Sequence, residues 1–158
     1  MMRVGMGWDE HPMVSGRPLS LGGVAIESSQ GLVGHSDADV VSHAIVDALL
    51  GACGLGTIGD HFPDSDPRWA GVSGVALLRH TAELVEQADC QVANVDAVVI
   101  AQEPRLAAYL GQMAATLADA LGVASSQISV KVKSPEGLGH LGAGHALAAM
   151  AVALVQAG

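Results

Sequence analysis

A helix that is apolar on nearly every side has to be covered on nearly every side. Residues 35–51, HSDADVVSHAIVDALLG, describe such a helix, so the rest of the chain must wrap around it. Its polar residues gather towards one end: His35, Asp37, Asp39 and His43, with Asp47 one turn further on. Ser36 is placed as the N-cap, Asp39 as its capping-box partner three residues on, and Gly54 as the stop. Aspartate is a poor helix former and is rarely buried, so the loaded end asks for a chemical role.

The material available for wrapping is small. Half of the 158 residues are hydrophobic but only 3% are aromatic, and 20 are glycine. The core must therefore be built from Ala, Val, Leu and Ile, with backbones approaching closely. The length suffices for one domain with a real core, and no linker, repeat or low-complexity run divides it; a single domain over 1–158 is expected. Strands are read at Arg3–Trp8, at Leu19–Ile26 broken by Gly22 and Gly23, at Gln91–Ala101 and at Ile128–Lys133. Helices are read at Gly74–Ala88 and from Pro104, opening the helix, to Gly122, closing it. Gly56–Gly74 reads as a long loop. Strands alternating with helices predict an α/β domain. The alanine-rich tail from Ala143 stays open: its composition favours helix, and the glycine-rich turn before it suits a returning strand.

Seven basic against sixteen acidic residues leave a net charge of -9. A nucleic-acid partner would need a basic face, so none is expected. A phosphorylated ligand remains compatible, because a metal ion can supply the positive charge. Cys53 and Cys90 lack CxxC spacing and read as free thiols of a reducing compartment, so a cytoplasmic location is expected. The first ten residues, MMRVGMGWDE, have no apolar signal stretch, and the tail is too short to span a bilayer; no membrane partner is expected.

Asp9 and His11 stand two apart at the end of the first strand, and side chains two apart on a strand share a face. Alone, the pair also reads as a strand end that solvates a loop. With one more imidazole it makes a three-ligand zinc site with an open position. His43 supplies that imidazole. Asp39, His43 and Asp47 recur at i, i+4 and i+8, so Asp39 is expected to hydrogen-bond the non-liganding nitrogen of His43. His35 and Ser36 precede the helix, where free N–H groups attract a phosphate.

Five motifs then run in order along nearly the whole chain: RxGxGxDxH, HSDxD followed by a His, IGxxFPDxDP, DxxxIAQxP, and a Glu before an LG-rich turn. In this pattern the chain resembles the 2-C-methyl-D-erythritol 2,4-cyclodiphosphate synthase family. The resemblance implies a four-stranded mixed sheet with helices on one face, assembled as a homotrimer with active sites between neighbouring subunits. It also implies that the last segment is a strand. The implied reaction is an intramolecular phosphoryl transfer in non-mevalonate isoprenoid synthesis. The 2-phosphate of a cytidine diphosphate ester of methylerythritol attacks the β-phosphorus, a cyclic diphosphate forms, and CMP leaves. Such chemistry needs positioning and charge neutralisation rather than a protein nucleophile.

Carried over residue by residue, the resemblance makes Asp9, His11 and His43 zinc ligands. Glu136 becomes the ligand of a second divalent ion, Mg2+ or Mn2+. His35 and Ser36 hold the methylerythritol phosphate, and Ile58, Gly59, Phe62 and Asp64 belong to the loop that lines its pocket. Ala101, Pro104, Arg105, Leu106 and Ala107 hold cytosine and the nucleotide phosphates, and the Ser134 hydroxyl meets the diphosphate. Arg105 stands where the family usually has lysine. Ala38 stands for a glycine, a mild change within a helix turn. Thr57 replaces an aspartate that grips the ribose hydroxyls, so a charged two-point contact becomes at most a neutral one. Lys133 and Pro135 flank Ser134 in place of two threonines; Lys133 adds a cation beside the phosphates, and Pro135 removes an N–H. Gly142, Ala143, Gly144 and His145 lack the arginine and glutamate that line the family's central channel. Two functions are weighed: an active synthase with altered nucleotide contacts, and a weakened homologue that keeps the metal site and trimer as a binding or regulatory protein. A generic zinc hydrolase fits less well, because no HExxH is present.

Overall fold

The computed structural model describes residues 1–158. The first strand, β1 (Met2–Ser15), is much longer than its alternating core of residues 3–8. A small hairpin of β2 (Leu19–Leu21) and β3 (Val24–Ile26) follows, turning at Gly22 and Gly23, both at positive φ. Then come β4 (Gln30–Leu32), α1 (Val40–Cys53), the single-turn α2 (Ile58–His61) and α3 (Gly74–Gln87). The chain closes with β5 (Cys90–Ile100), α4 (Leu110–Leu121), β6 (Ile128–Lys133), a short α5 (Gly139–Gly142) and β7 (Ala146–Ala157).

The main sheet has five strands in the order β4-β1-β7-β5-β6, not four. The additional edge strand is β4, whose three residues pair with Met13, Val14 and Ser15. QGL carries too weak an alternation to announce a strand; the neighbouring edge of β1 makes it one. All pairings are antiparallel except β5 with β6, which are parallel from Val95 and Ile128 onwards. No helix is long and apolar enough to cross a membrane.

α1 lies on the sheet and is buried along almost its whole length, as its all-round apolar sequence requires. Contact between helix and sheet is made by backbone. A Cβ placed on Gly5 or Gly7 of β1 would come within 2.0 Å of the carbonyl oxygens of Ala48 or Ala44, respectively. Only glycine fits there. This seam explains the scarcity of aromatics, and it decides the tail. Ala149, Ala151 and Ala153 of β7 are fully or almost fully buried on the sheet's inner face, in the strand between β1 and β5. Small side chains are what the packing wants at those positions, and this outweighs the helix propensity of alanine.

Two helix starts differ from expectation. The N-cap of α1 is Asp39 rather than Ser36: its backbone is extended, and its carboxylate accepts from the N–H groups of Val41 and Ser42. Ser36 points its hydroxyl elsewhere. Pro104 does not open a helix; α4 starts at Leu110, after a 3-10 turn over Ala107–Tyr109. The segment between runs past the end of β6, with Ala101 N–H bonded to the Lys133 carbonyl at 3.0 Å, and Leu106 plugs the core. Both stops are where glycine predicts them: Gly54 and Gly122 take the left-handed conformation. Ala38 is not within a helix turn. It precedes α1 at φ +57°, a left-handed conformation that glycine adopts freely and alanine only at a cost of about 1 kcal/mol.

The sheet's other face carries no helix. Along β1 and β7 it presents Val4, Met6, Trp8, Met150 and Val152, which are between 37% and 69% exposed. Across the register these residues adjoin one another: Trp8 faces Met150, and Met6 faces Val152.

Candidate active site

Asp9 and His11 sit in the middle of β1, not at its end, on the face turned towards α1. α1 lowers His43 onto them from its first turn. The Asp9 carboxylate oxygen Oδ2 lies 3.1 Å from His11 Nε2 and 2.9 Å from His43 Nδ1. One carboxylate oxygen and two imidazole nitrogens, all within 4.8 Å of one another, form a donor set suited to a divalent metal ion. The remaining ring nitrogens are anchored too. His11 Nδ1 bonds the Val33 carbonyl at 2.8 Å, and His43 Nε2 meets the Ser36 hydroxyl at 3.0 Å. Such outer contacts hold the rings with the right nitrogen presented.

Asp39 is not the partner of His43. Its two carboxylate oxygens are fully occupied, accepting from the N–H groups of Gly22, Gly23, Val41 and Ser42 and from the Ser42 hydroxyl. The i, i+4 spacing put it on the right stripe, but capping geometry turns the side chain back on the helix end and the hairpin. Complete burial and the charge of Asp37 raise its carboxyl above the ordinary range, against the pull of its N–H donors.

Burial alone would raise the Asp9 carboxyl as well. Hydrogen bonds from His11 and His43, with their charge, outweigh it and hold Asp9 at about 2. The same contact with Asp9 raises His11, against its own burial. With no metal bound, the cluster is therefore a carboxylate that favours a proton on its imidazole neighbour, which is the position a cation takes over.

The three donors open into a cavity of about 380 Å³. Its wall contains His35, Ser36, Ile58, Gly59, Phe62 and Asp64, all expected at the substrate pocket. Asp47, Pro63 and Trp69 also line it and were not expected there. Trp69 stacks edge-on against Phe62, with ring centres 4.9 Å apart. No spacing rule singles it out. Asp47 was visible on the stripe of His43, but without a role.

The other expected residues gather elsewhere. Ala101 to Ala107 and Lys133 to Glu136 meet at the adjacent carboxyl ends of the parallel strands β5 and β6, where Ile100 pairs with Lys133. Gly137 N–H donates to Gln102 Oε1 at 3.0 Å, and Glu136 N–H to Ser134 Oγ at 3.0 Å. Asp9 and Val99 both pair with Ala149, and Val99 pairs with Val132. Counted along the sheet, the second group thus lies two strand spacings from the metal ligands where it follows β5 and three where it follows β6, roughly 10–14 Å. One chain does not bring the two groups together. Thr57 stands beside the cavity, and both its N–H and its hydroxyl donate to Asp60 Oδ2, at 2.8 and 2.9 Å.

The family model described as the YgbB family matches residues 2–156. A 2-C-methyl-D-erythritol 2,4-cyclodiphosphate synthase of Pelotomaculum thermopropionicum is 51% identical over 154 residues, covering 98% of this chain and 95% of that protein. The chain belongs to the YgbB family. Family members of known structure have the same fold. A CDP-bound form of 2C-methyl-D-erythritol-2,4-cyclodiphosphate synthase superposes with a TM-score of 0.90 at 37% identity, covering 98% of this chain and 100% of that one. The bifunctional IspDF of Campylobacter jejuni superposes with a TM-score of 0.96 at 34% identity. The match takes in all of this chain but only 43% of that longer protein, so this chain spans less than half of it.

Proposed function

We propose that the chain, as one domain over 1–158, is a 2-C-methyl-D-erythritol 2,4-cyclodiphosphate synthase. The observation that carries this reading is the Asp9, His11 and His43 donor set opening into a cavity walled by the expected pocket residues, in a chain about half identical to such synthases. Asp9, His11 and His43 hold zinc, and Glu136 holds a second divalent ion. The chemistry these ions supply when bound is neutralisation of phosphate charge and polarisation of the attacked phosphorus. His35 and Ser36 receive the methylerythritol phosphate end, and Ile58, Gly59, Phe62 and Asp64 close around it. Ala101, Pro104, Leu106 and Ala107 hold cytosine largely through backbone groups. Arg105 and Lys133 offer cations to the nucleotide phosphates, and the Ser134 hydroxyl donates to the diphosphate. Held in line, a 2-phosphate oxygen forms a bond to the β-phosphorus while the bond from that phosphorus to the bridging oxygen breaks. CMP departs with the bridging oxygen and the electron pair. No protein nucleophile is required, so the half-buried Cys53 and buried Cys90 need no part in it. The test is release of CMP from 4-diphosphocytidyl-methylerythritol 2-phosphate by the zinc-loaded protein; no release would leave the weakened, binding-only homologue.

A homotrimer follows from the same reading. The two groups of site residues are roughly 10–14 Å apart on one chain. They form one site only if a neighbour's β5–β6 end is brought to this chain's metal ligands. The helix-free sheet face offers an apolar patch for such an assembly. Light scattering is expected to give a mass near three times 15.9 kDa at micromolar protein. A monomer would remove the shared site.

Thr57 gives a more particular test. An aspartate at this position would restore a charged acceptor for the ribose, worth about 1 kcal/mol more than a neutral one, or several-fold in CMP affinity. The Asp60 carboxylate, however, already lies against Thr57. A second carboxylate there meets a like charge, so Thr57→Asp alone is expected to gain little. Thr57→Asp combined with Asp60→Asn is expected to tighten CMP several-fold in calorimetric titration. Equal affinity of the double variant and the natural protein would show that Thr57 costs nothing.

A further inference from the structure

We propose that Asp47 is a positioning residue, setting the cavity wall opposite the metal ligands by holding the first turn of α2. The proposal rests on the synthase reading for its kinetic consequence, but not for its structural one. Asp47 follows His43 by one turn of α1, so both side chains leave the helix on the same stripe. His43 turns to Asp9, and Asp47 turns to the loop. Its Oδ1 accepts from Ile58 N–H at 2.7 Å. Ile58 and Gly59 are the first two residues of α2, and both line the cavity, as does Asp47 itself.

Asp47 interrupts an otherwise buried stretch of α1. Between Val40 and Leu50, every other residue is buried and Asp47 is half-exposed. A carboxylate is not favoured there for its own sake: burial and the nearby charge of Asp9 both raise its carboxyl, while the bond from Ile58 opposes them. Packing alone would be served by leucine or alanine. What the acid provides is the hydrogen bond to α2.

The rest of the segment shows why that bond matters. The far end of the connection from Gly54 to Ser73 is tied to the body three times: Gly71 N–H to the His35 carbonyl, Asp37 N–H to the Val72 carbonyl, and Gly74 N–H to Asp37 Oδ2. At the near end, the contacts of Thr57 and His61 are local, to Asp60 and to the Leu55 carbonyl. Asp47 is the side chain that ties this near end to the helix bearing His43. Ile58, Gly59 and Phe62 thus take their place relative to the metal ligands through one residue of α1.

Asp47→Ala removes the acceptor, and Asp47→Asn keeps an oxygen in its place. With Asp47→Ala, the amide protons of Ile58 to Asp60 are expected to exchange about ten-fold faster, and KM for the cytidine diphosphate substrate to rise about ten-fold, with kcat changed less than about three-fold. Zinc content should stay at that of the natural protein. Asp47→Asn should return both exchange and KM to within about three-fold of the natural values. Unchanged exchange in Asp47→Ala would overturn the proposal, as would failure of Asp47→Asn to rescue, or loss of zinc in Asp47→Ala, which would make Asp47 part of the metal site. Exchange is read without substrate, so absence of CMP release by the natural protein would remove the synthase reading and leave the positioning role standing or falling on the amides.

Discussion

Asp9→Ala is expected to lose bound zinc and to release CMP at least about 1000-fold more slowly than the natural protein. Asp9 Oδ2 is the contact common to both imidazoles, at 3.1 Å from His11 and 2.9 Å from His43. Its removal leaves two nitrogen donors and no anion, below the three protein ligands of a catalytic zinc site. A loss of about 4 kcal/mol in transition-state stabilisation corresponds to that factor in rate. Under the proposed zinc assignment, metal analysis after dialysis should fall from about one zinc per chain to a small fraction of that, while circular dichroism stays unchanged. Full zinc content with full turnover in Asp9→Ala would remove the metal assignment. The site also predicts its own pH limit. Asp9, held at about 2, stays ionised in any ordinary buffer. His11, raised by that same carboxylate, is the group whose protonation competes with the metal. Zinc affinity should fall as pH drops through the His11 titration.

Asp39→Ala is expected to cost about 3–5 kcal/mol of stability, a large part of the roughly 5–15 kcal/mol that a domain has. The side chain is fully buried and receives five hydrogen bonds. Two come from the Gly22–Gly23 turn of the hairpin and three from the first turn of α1. An unpaired buried donor costs about 1–3 kcal/mol, and alanine leaves five donors without this partner, some of which water reaches. The midpoint of thermal unfolding should drop by about 10 °C or more when the two proteins are compared at equal concentration. A drop equivalent to less than about 1 kcal/mol would show that the hairpin and α1 are held together without this residue. The substitution is not expected to touch zinc binding by protein that remains folded. The sequence expectation, in which Asp39 backs His43, predicts a loss of metal instead.

That contrast shows where local patterns stop. Periodicity places Asp39, His43 and Asp47 on one stripe, and the stripe is real. It does not say that the first residue is a cap, so that its side chain folds back on free N–H groups while the other two project into the cavity. Trp69 and Asp60 were similarly illegible: each acts through a neighbour, Phe62 or Thr57, that only the folded loop puts beside it. The motifs that carry chemistry were legible because their residue types are unusual for their surroundings. Two histidines and an acid among glycines, alanines and valines have few packing reasons to be there.

By itself the sequence determined that a buried helix carrying His43 ends at Gly54, that Ile128–Lys133 is a strand, and that Asp9 and His11 share a face. These follow from the backbone's own periods of 3.6 and 2 and from glycine's access to positive φ, all local properties. The tertiary structure decided the rest. It made a strand of the alanine-rich tail because Gly5 and Gly7 let α1 press onto the sheet, and the neighbouring strand must then be small and flat. It added β4 as a fifth strand because the long β1 had an unpaired edge to satisfy. It also left the two groups of site residues apart on one chain. Their separation is a property of strand order, which no local pattern encodes.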